Sequence, residues 1–222
     1  VQSDAFVKEI LLTQVHYSER LLVNRLIRPG ERLSISGEIA EIRPHRAGSH
    51  VVVRLGAQDD AGSPVFTEYT GALLRGVACD RENVVARPAP VPEPSNAGGP
   101  AWEAPVSISL LAPYLYDGCT DIVFPIHTSP AFAESVGLPG IILQGTATLA
   151  MAVSEIVNRE ADGDPFRVAD VYTRFTGMVI PGTSIRVRCT GRESMADGRA
   201  VFFEVMDAQG KKALRDGYVK LL

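Results

Sequence analysis

No run rich in lysine and arginine occurs anywhere in the 222 residues, and the formal net charge is −4. That combination argues against a nucleic-acid binder, although a local basic patch for an anionic ligand stays compatible with it. Cysteine is scarce as well. Cys79, Cys119 and Cys189 are odd in number and far apart, and no C-x-x-C or His/Cys metal spacing is present. The expectation is a reducing, cytoplasmic setting with no structural metal. His16, His45, His50 and His127 likewise lack the spacing of metal ligands. No apolar run approaches the roughly 20 residues of a membrane span, so no membrane partner is expected. A secretory leader pattern is missing from the start, which reads Val rather than Met.

What the chain does hold is 45% hydrophobic and 22% charged residues, ordinary for globular protein and enough for one large domain or two small ones. Residues 87–100, reading RPAPVPEPSNAGGP, carry five prolines and two glycines. They cannot continue a helix or a central strand, so they are expected to link residues 1–86 to residues 101–222.

The two parts resemble each other. LIRPGERLSISG (26–37) and VIPGTSIRVRCTG (179–191) both place an apolar pair, then Pro-Gly, then an alternating strand that ends at a glycine. SHVVVRLGAQDDAG (49–62) matches RAVFFEVMDAQG (199–210), and FTEYTGALLRGV (66–77) matches ALRDGYVKLL (213–222). Period-2 alternation between Gly/Asp-rich turns predicts an antiparallel meander, used twice. Before the second meander, residues 141–158 (IILQGTATLAMAVSEIVN) are apolar or small on nearly every face, which predicts a buried helix. The first part offers only a short amphipathic piece, residues 5–12. A long helix against a curved antiparallel sheet is the hotdog architecture, in the α+β class. The expectation is a double hotdog with a degenerate first half.

Residues 116–150 carry the chemistry: YDGCTDIVFPIHTSPAFAESVGLPGIILQGTATLA. Pro125-Ile126-His127, Thr128-Ser129-Pro130, Phe132-Ala133, Gly137-Leu138-Pro139-Gly140 and Gln144-Gly145 follow one another, with Arg174-Phe175, Val179 and Pro181-Gly182 further on. This series resembles the MaoC-like family of (R)-specific enoyl-CoA hydratases and related acyl dehydratases, over residues 101–222. The family pattern runs Asp-x-Asn-Pro-x-His, a short helix, a Pro-Gly-like turn, and an apolar helix that opens with His-Gly. The chain departs from it in three places. The asparagine is absent, with Val123 and Phe124 around its place. Ile122 occupies the aspartate position five residues before His127, and the nearest acid is Asp121. Gln144 stands for the histidine of His-Gly.

The resemblance implies a lyase that adds water to a 2-enoyl-CoA or dehydrates a 3-hydroxyacyl-CoA in fatty acid metabolism. Coenzyme A enters as part of the substrate, and no cofactor or metal is implied. Such chemistry needs a base for water, an acid for the α-carbon and dipoles on the thioester oxygen. His127 suits the first two roles, because imidazole titrates near neutral pH. Asp121 is expected to share the water or hold the ring. Six residues of straight strand span roughly 20 Å, so the chain must turn back between them. The resemblance gives the Gly145 N–H the thioester oxygen, consistent with a glycine near a helix start; the alternative is that Gly145 serves close packing alone. Gln144, Tyr116 and Arg174 are candidates for substrate binding, the last towards a coenzyme A phosphate, while core packing and a solvated strand explain the tyrosine and arginine equally well. Glu134 is expected to face water. Two rival readings stand: a non-catalytic acyl-CoA-binding subunit of a heteromeric hydratase, and a thioesterase. The second is disfavoured because residues 141–151 contain no acid. Hotdog units pair by joining sheet edges, so a homodimer or a heteromer of hotdog units is an expected assembly.

Overall fold

The computed structural model describes residue 10 and residues 14–95 and 100–222, in two compact units. The first unit comprises residues up to Val91 together with Ala169–Tyr172, and the second comprises Pro92–Val168 and Thr173–Leu222. The unit boundary therefore falls inside the proline-rich stretch of 87–100. Arg87 binds Glu41 and Glu82 in the first unit, whereas Pro94 packs beside Gly191 and Ser95 binds Glu193 in the second.

The first unit is an antiparallel meander of β1 (Gln14–Val23), β2 (Ser34–His45), β3 (Gly48–Gln58) and β4 (Pro64–Arg75), with a two-residue β5 (Asn83–Val84). Its strand order is β5-β2-β3-β4-β1. The expected strands are all present, and no α-helix occurs among the described residues of this unit. The amphipathic piece expected at residues 5–12 lies, apart from Ile10, outside the described residues. RPHR (43–46) forms the end of β2 and its turn, and His50 is buried in β3. Arg20 on β1 and Asp170 form a buried two-point ion pair at 3.1 and 2.7 Å.

The second unit begins with β6 (Trp102–Ser107), followed by helices α1 (Ala112–Thr120), α2 (Pro130–Ser135) and α3 (Gly145–Glu160). Strands β7 (Val168–Phe175), β8 (Ser184–Met195), β9 (Gly198–Met206) and β10 (Lys212–Leu221) complete it, in the order β7-β10-β9-β8-β6. Residues 169–172 of β7 are the stretch that belongs to the first unit. Alternation places Ile185, Val187 and Cys189 of β8 in the core with Val201, Phe203 and Val205 of β9. Helix α3 packs on β8 and β10 through Leu149, Ala152 and Ile156, spaced for one helix face. Each fully buried Leu or Ile side chain contributes about 1.5–3 kcal/mol to that packing.

Helix α3 starts later than the sequence predicts, at Gly145 rather than residue 141, because residues 142 and 143 spend their N–H groups elsewhere. Ile142 N–H donates to Ile126 O at 3.2 Å and Leu143 N–H to Val179 O at 2.8 Å. Its far end is clamped by Glu160. Arg192 Nη2 and Trp102 Nε1 each donate to Glu160 Oε1 at 2.6 Å. Burial alone would push this carboxyl up; the Arg192 and Trp102 hydrogen bonds overcome that and hold it below its ordinary range. The second unit thus combines the meander with a long central helix, and among the described residues of the first unit only the meander occurs.

On one face of the first unit, Glu19 lies across from Thr70 and Glu68 across from Leu21. Burial, then the charge of Glu19 and a hydrogen bond to it, push Glu68 up to about 7, with His16 acting the other way. The folded protein thus holds a proton that the unfolded chain releases from about 4.5 upward. Stability is expected to fall as pH rises from about 4.5 to about 7, relative to Glu68→Gln. Discounting for the half-exposed site, the loss is about 1–2 kcal/mol, read from urea midpoints across that range. Parallel pH profiles for the two proteins would remove the shared-proton account.

Candidate active site

Of the residues singled out in the sequence, His127, Gln144 and Gly145 meet where the chain leads into α3. Phe124 is extended, as a residue before proline must be, and Pro125–His127 form a single 3-10 turn. That turn aims the His127 ring at the approach to α3, where Nδ1 lies 2.8 Å from Ile142 O. A carbonyl only accepts, so the neutral ring carries its proton on Nδ1 and presents Nε2 as the base. Nε2 has no partner among the described residues and is not sealed from solvent. Burial pushes the ring below the ordinary imidazole range, while the Ile142 bond and the charge of Asp117 act against that shift. Phe124 contributes to the burial: its ring meets His127 edge-on at 6.4 Å and Phe132 at 6.3 Å.

Two residues beyond Ile142, Gln144 forms the N-cap of α3 with extended backbone, and its side chain does not cap the helix. Gly145, Thr146 and Ala147 open the helix, and the first N–H to bond back is that of Thr148, to Gln144 O at 3.1 Å. Gly145 N–H has no partner among the described residues. This is the positive end of a 16-residue helix, a place that favours negative charge. Gly145 also has a packing role. A Cβ there would stand 2.7 and 3.0 Å from ring atoms of Phe175. Both readings of this glycine therefore find support in its surroundings.

Asp121 requires a correction. It is exposed at the C-terminus of α1 with φ 55°, and its N–H donates to Asp117 O at 2.9 Å. Aspartate tolerates this left-handed conformation, which ends the helix. Asp117, one turn earlier, is the acid whose charge opposes the burial-driven lowering of His127, behind the Ile142 bond in size. Asp117 is 8% exposed and shares the buried face of α1 with Pro113. Gln144 Nε2 donates to Pro113 O at 3.0 Å and to Asp117 Oδ1. Sequence reasoning missed Asp117 because it lies outside the family's acid spacing. The available signal was helical: Pro113 and Asp117 stand four apart, on one face of a helix that opens with proline.

The remaining candidates are more loosely placed. Tyr116 is half-buried on α1, and its carbonyl accepts from Thr120 Oγ1. Arg174 on β7 pairs with Asp216 at 3.2 Å, so it is not a cation standing ready for a phosphate. Glu134 is exposed on α2, as expected.

A double meander with one central helix, its second unit bearing this histidine and helix mouth, places the chain among the double-hotdog proteins. Residues 103–209 match the MaoC like domain model, and all of them but 169–172 belong to the second unit. The chain is 28% identical to 3-hydroxyacyl-thioester dehydratase Y of Mycobacterium tuberculosis over 214 residues, 93% of this chain and 72% of that protein. It is 31% identical to a peroxisomal enoyl-CoA hydratase 2 of Arabidopsis thaliana over 97 residues, 44% of this chain. The chain spans 30% of that plant relative's length. The crystal structure of a MaoC-like dehydratase from Phytophthora capsici superposes with a TM-score of 0.86 at 20% identity, over 100% of this chain and 73% of that one.

Gly145→Ala is expected to destabilise the protein by about 1–3 kcal/mol through overpacking against Phe175. The loss should show in the urea midpoint, and a companion Phe175→Leu should recover part of it. An unchanged midpoint in Gly145→Ala would mean that the ring yields freely.

Proposed function

We propose that this chain is a hydro-lyase for acyl thioesters of coenzyme A, adding water to a 2-enoyl-CoA or removing it from a 3-hydroxyacyl-CoA. One observation carries the reading: the His127 imidazole, its tautomer fixed by Ile142 O, is bound three residues before the unpartnered helix-opening N–H of Gly145. The match to the MaoC like domain model and the hydratase and dehydratase relatives support it.

The chemistry runs as follows in the hydration direction. Neutral Nε2 of His127 takes a proton from water while the water oxygen bonds to the β-carbon. The electron pair of the double bond moves to the α-carbon and thioester oxygen, where the Gly145 N–H meets the developing negative charge. The imidazolium then returns the proton to the α-carbon. One water is consumed and nothing is oxidised or reduced, so the reaction calls for no cofactor; coenzyme A is part of the substrate. A donor of this kind is typically worth about 3–4 kcal/mol in the transition state.

The exposure of Asp121 favours a second reading, a non-catalytic acyl-CoA-binding subunit of a heteromeric hydratase. The buried carboxylate of Asp117 weighs against it, because a charge close to the ring survives.

Both are tested by following the enoyl-thioester absorbance over a panel of acyl lengths. The wild type is expected to turn over at least one length, and His127→Ala to lose a factor of roughly 100 or more. The base must be neutral, and burial holds it so at lower pH than usual. The acid limb of kcat/KM should therefore fall below the ordinary imidazole range, with rates dropping as pH decreases through it. An undiminished rate in His127→Ala sinks the mechanism, and inactivity of the wild type across the panel supports the binding subunit.

A further inference from the structure

Asp117 is a carboxylate that the family pattern does not call for, ten residues before His127, on a helix rather than on the loop that precedes the histidine. Its setting is costly. A carboxylate removed from water needs compensation, and here a side chain from another helix supplies it: Gln144 Nε2, which also donates to Pro113 O at 3.0 Å. Two acceptors around one nitrogen fix the orientation of the amide, since turning it over would set Oε1 against both. As a result Oε1, on a residue only 2% exposed, has no partner among the described residues. An unsatisfied buried acceptor is destabilising. A purely structural anchor would do as well with an apolar residue of similar size on α3 and another on α1.

The same segment holds the other half of the centre. Ile142 O receives Nδ1–H of His127, and Gln144, two residues on, receives the carboxylate. Imidazole and carboxylate are thus fixed to one stretch of backbone, and Gly145 follows it directly.

We propose that Asp117 is the carboxylate of this reaction centre, a positioning residue that stabilises the charged form of His127 during turnover, and that Gln144 is the residue that holds it there. The inference rests on the hydro-lyase reading for its turnover step alone. When the ring takes the water proton it becomes a cation in a half-buried site. A negative charge nearby lowers the energy of that cation, and the carboxylate that Gln144 Nε2 holds, two residues after the carbonyl that binds the ring, is that of Asp117. The unpartnered Gln144 Oε1 suits a hydroxyl donor, either the attacking water or the 3-hydroxyl of the hydrated thioester. Gln144 thus takes up the place of the family histidine with an amide whose two ends do different work.

Two measurements test this on the full chain. The first needs no turnover: the imidazole resonances of His127 are titrated by NMR in wild type, Asp117→Asn and Asp121→Asn. Asparagine at 117 keeps an oxygen for Gln144 and removes only the charge, so the fold is expected to survive. The His127 midpoint should move to lower pH in Asp117→Asn and stay in place in Asp121→Asn; an unmoved midpoint in Asp117→Asn overturns the proposal. The second follows the enoyl thioester. Asp117→Asn should lose a factor of roughly 100 in kcat with KM nearly unchanged, Asp117→Glu should recover part of that loss, and Gln144→Met should lower kcat with a similar shift of the pH profile. A wild-type rate in Asp117→Asn, or an equal loss in Asp121→Asn, overturns the assignment. A wild type inactive on every thioester removes the hydro-lyase reading instead, and the titration still decides whether Asp117 and His127 are coupled.

Discussion

Ile142 and Leu143 hold the site together by what their main chains refuse to do. Had residues 141–144 joined α3, Ile142 O would be turned along the helix axis to accept from within it. Instead their N–H groups go to Ile126 and Val179, and Ile142 O is left to receive His127 Nδ1–H. This short extended approach fixes the tautomer of the histidine and sets where the helix begins. It also leaves Gly145 as the first residue of α3, with its N–H unpartnered among the described residues. Its hydrogen bonds are worth roughly 1 kcal/mol each in stability; their larger consequence is positional.

The rest of the second unit keeps that approach in place. Leu149, Ala152 and Ile156 bury one face of α3, and the Glu160–Arg192–Trp102 cluster secures its C-terminal end. With its far end clamped and its length packed, the helix delivers its N-terminus to a defined place. Phe175 closes on Gly145 from β7, so close packing and an unpartnered N–H meet at the same residue. Helix α1 supplies Asp117 through its buried face while Asp121 ends the helix. Two acids four residues apart thus fall into different environments, one bonded to Gln144 and one exposed.

Much of this was legible from residues alone. Alternation located β2, β3, β4, β8, β9 and β10, because a strand with one buried face writes that face into every second residue. The apolar stretch after Gly140 announced the central helix of the second unit. His127 and Gly145 stood out through the series of short motifs around them. Less legible were the partners. Arg174 looked like a free cation on a strand, and only the neighbouring strand β10 brings Asp216 to it. The burial of His50 on β3 likewise has no local signal, since it comes from cross-strand neighbours.

By itself the sequence determined the periodicities, and hence the two meanders, the buried helix and the family of the second part, since these are local patterns that survive any arrangement of the elements. Tertiary structure decided which of Asp117 and Asp121 is buried against the segment that binds the histidine. Linear spacing favours Asp121, but distance along a chain is not distance in space once a helix intervenes. The left-handed end of α1 sends Asp121 to solvent, and the contact of α1 with Gln144 brings in Asp117. That choice depends on hydrogen bonds between residues 27 apart, which no local pattern encodes.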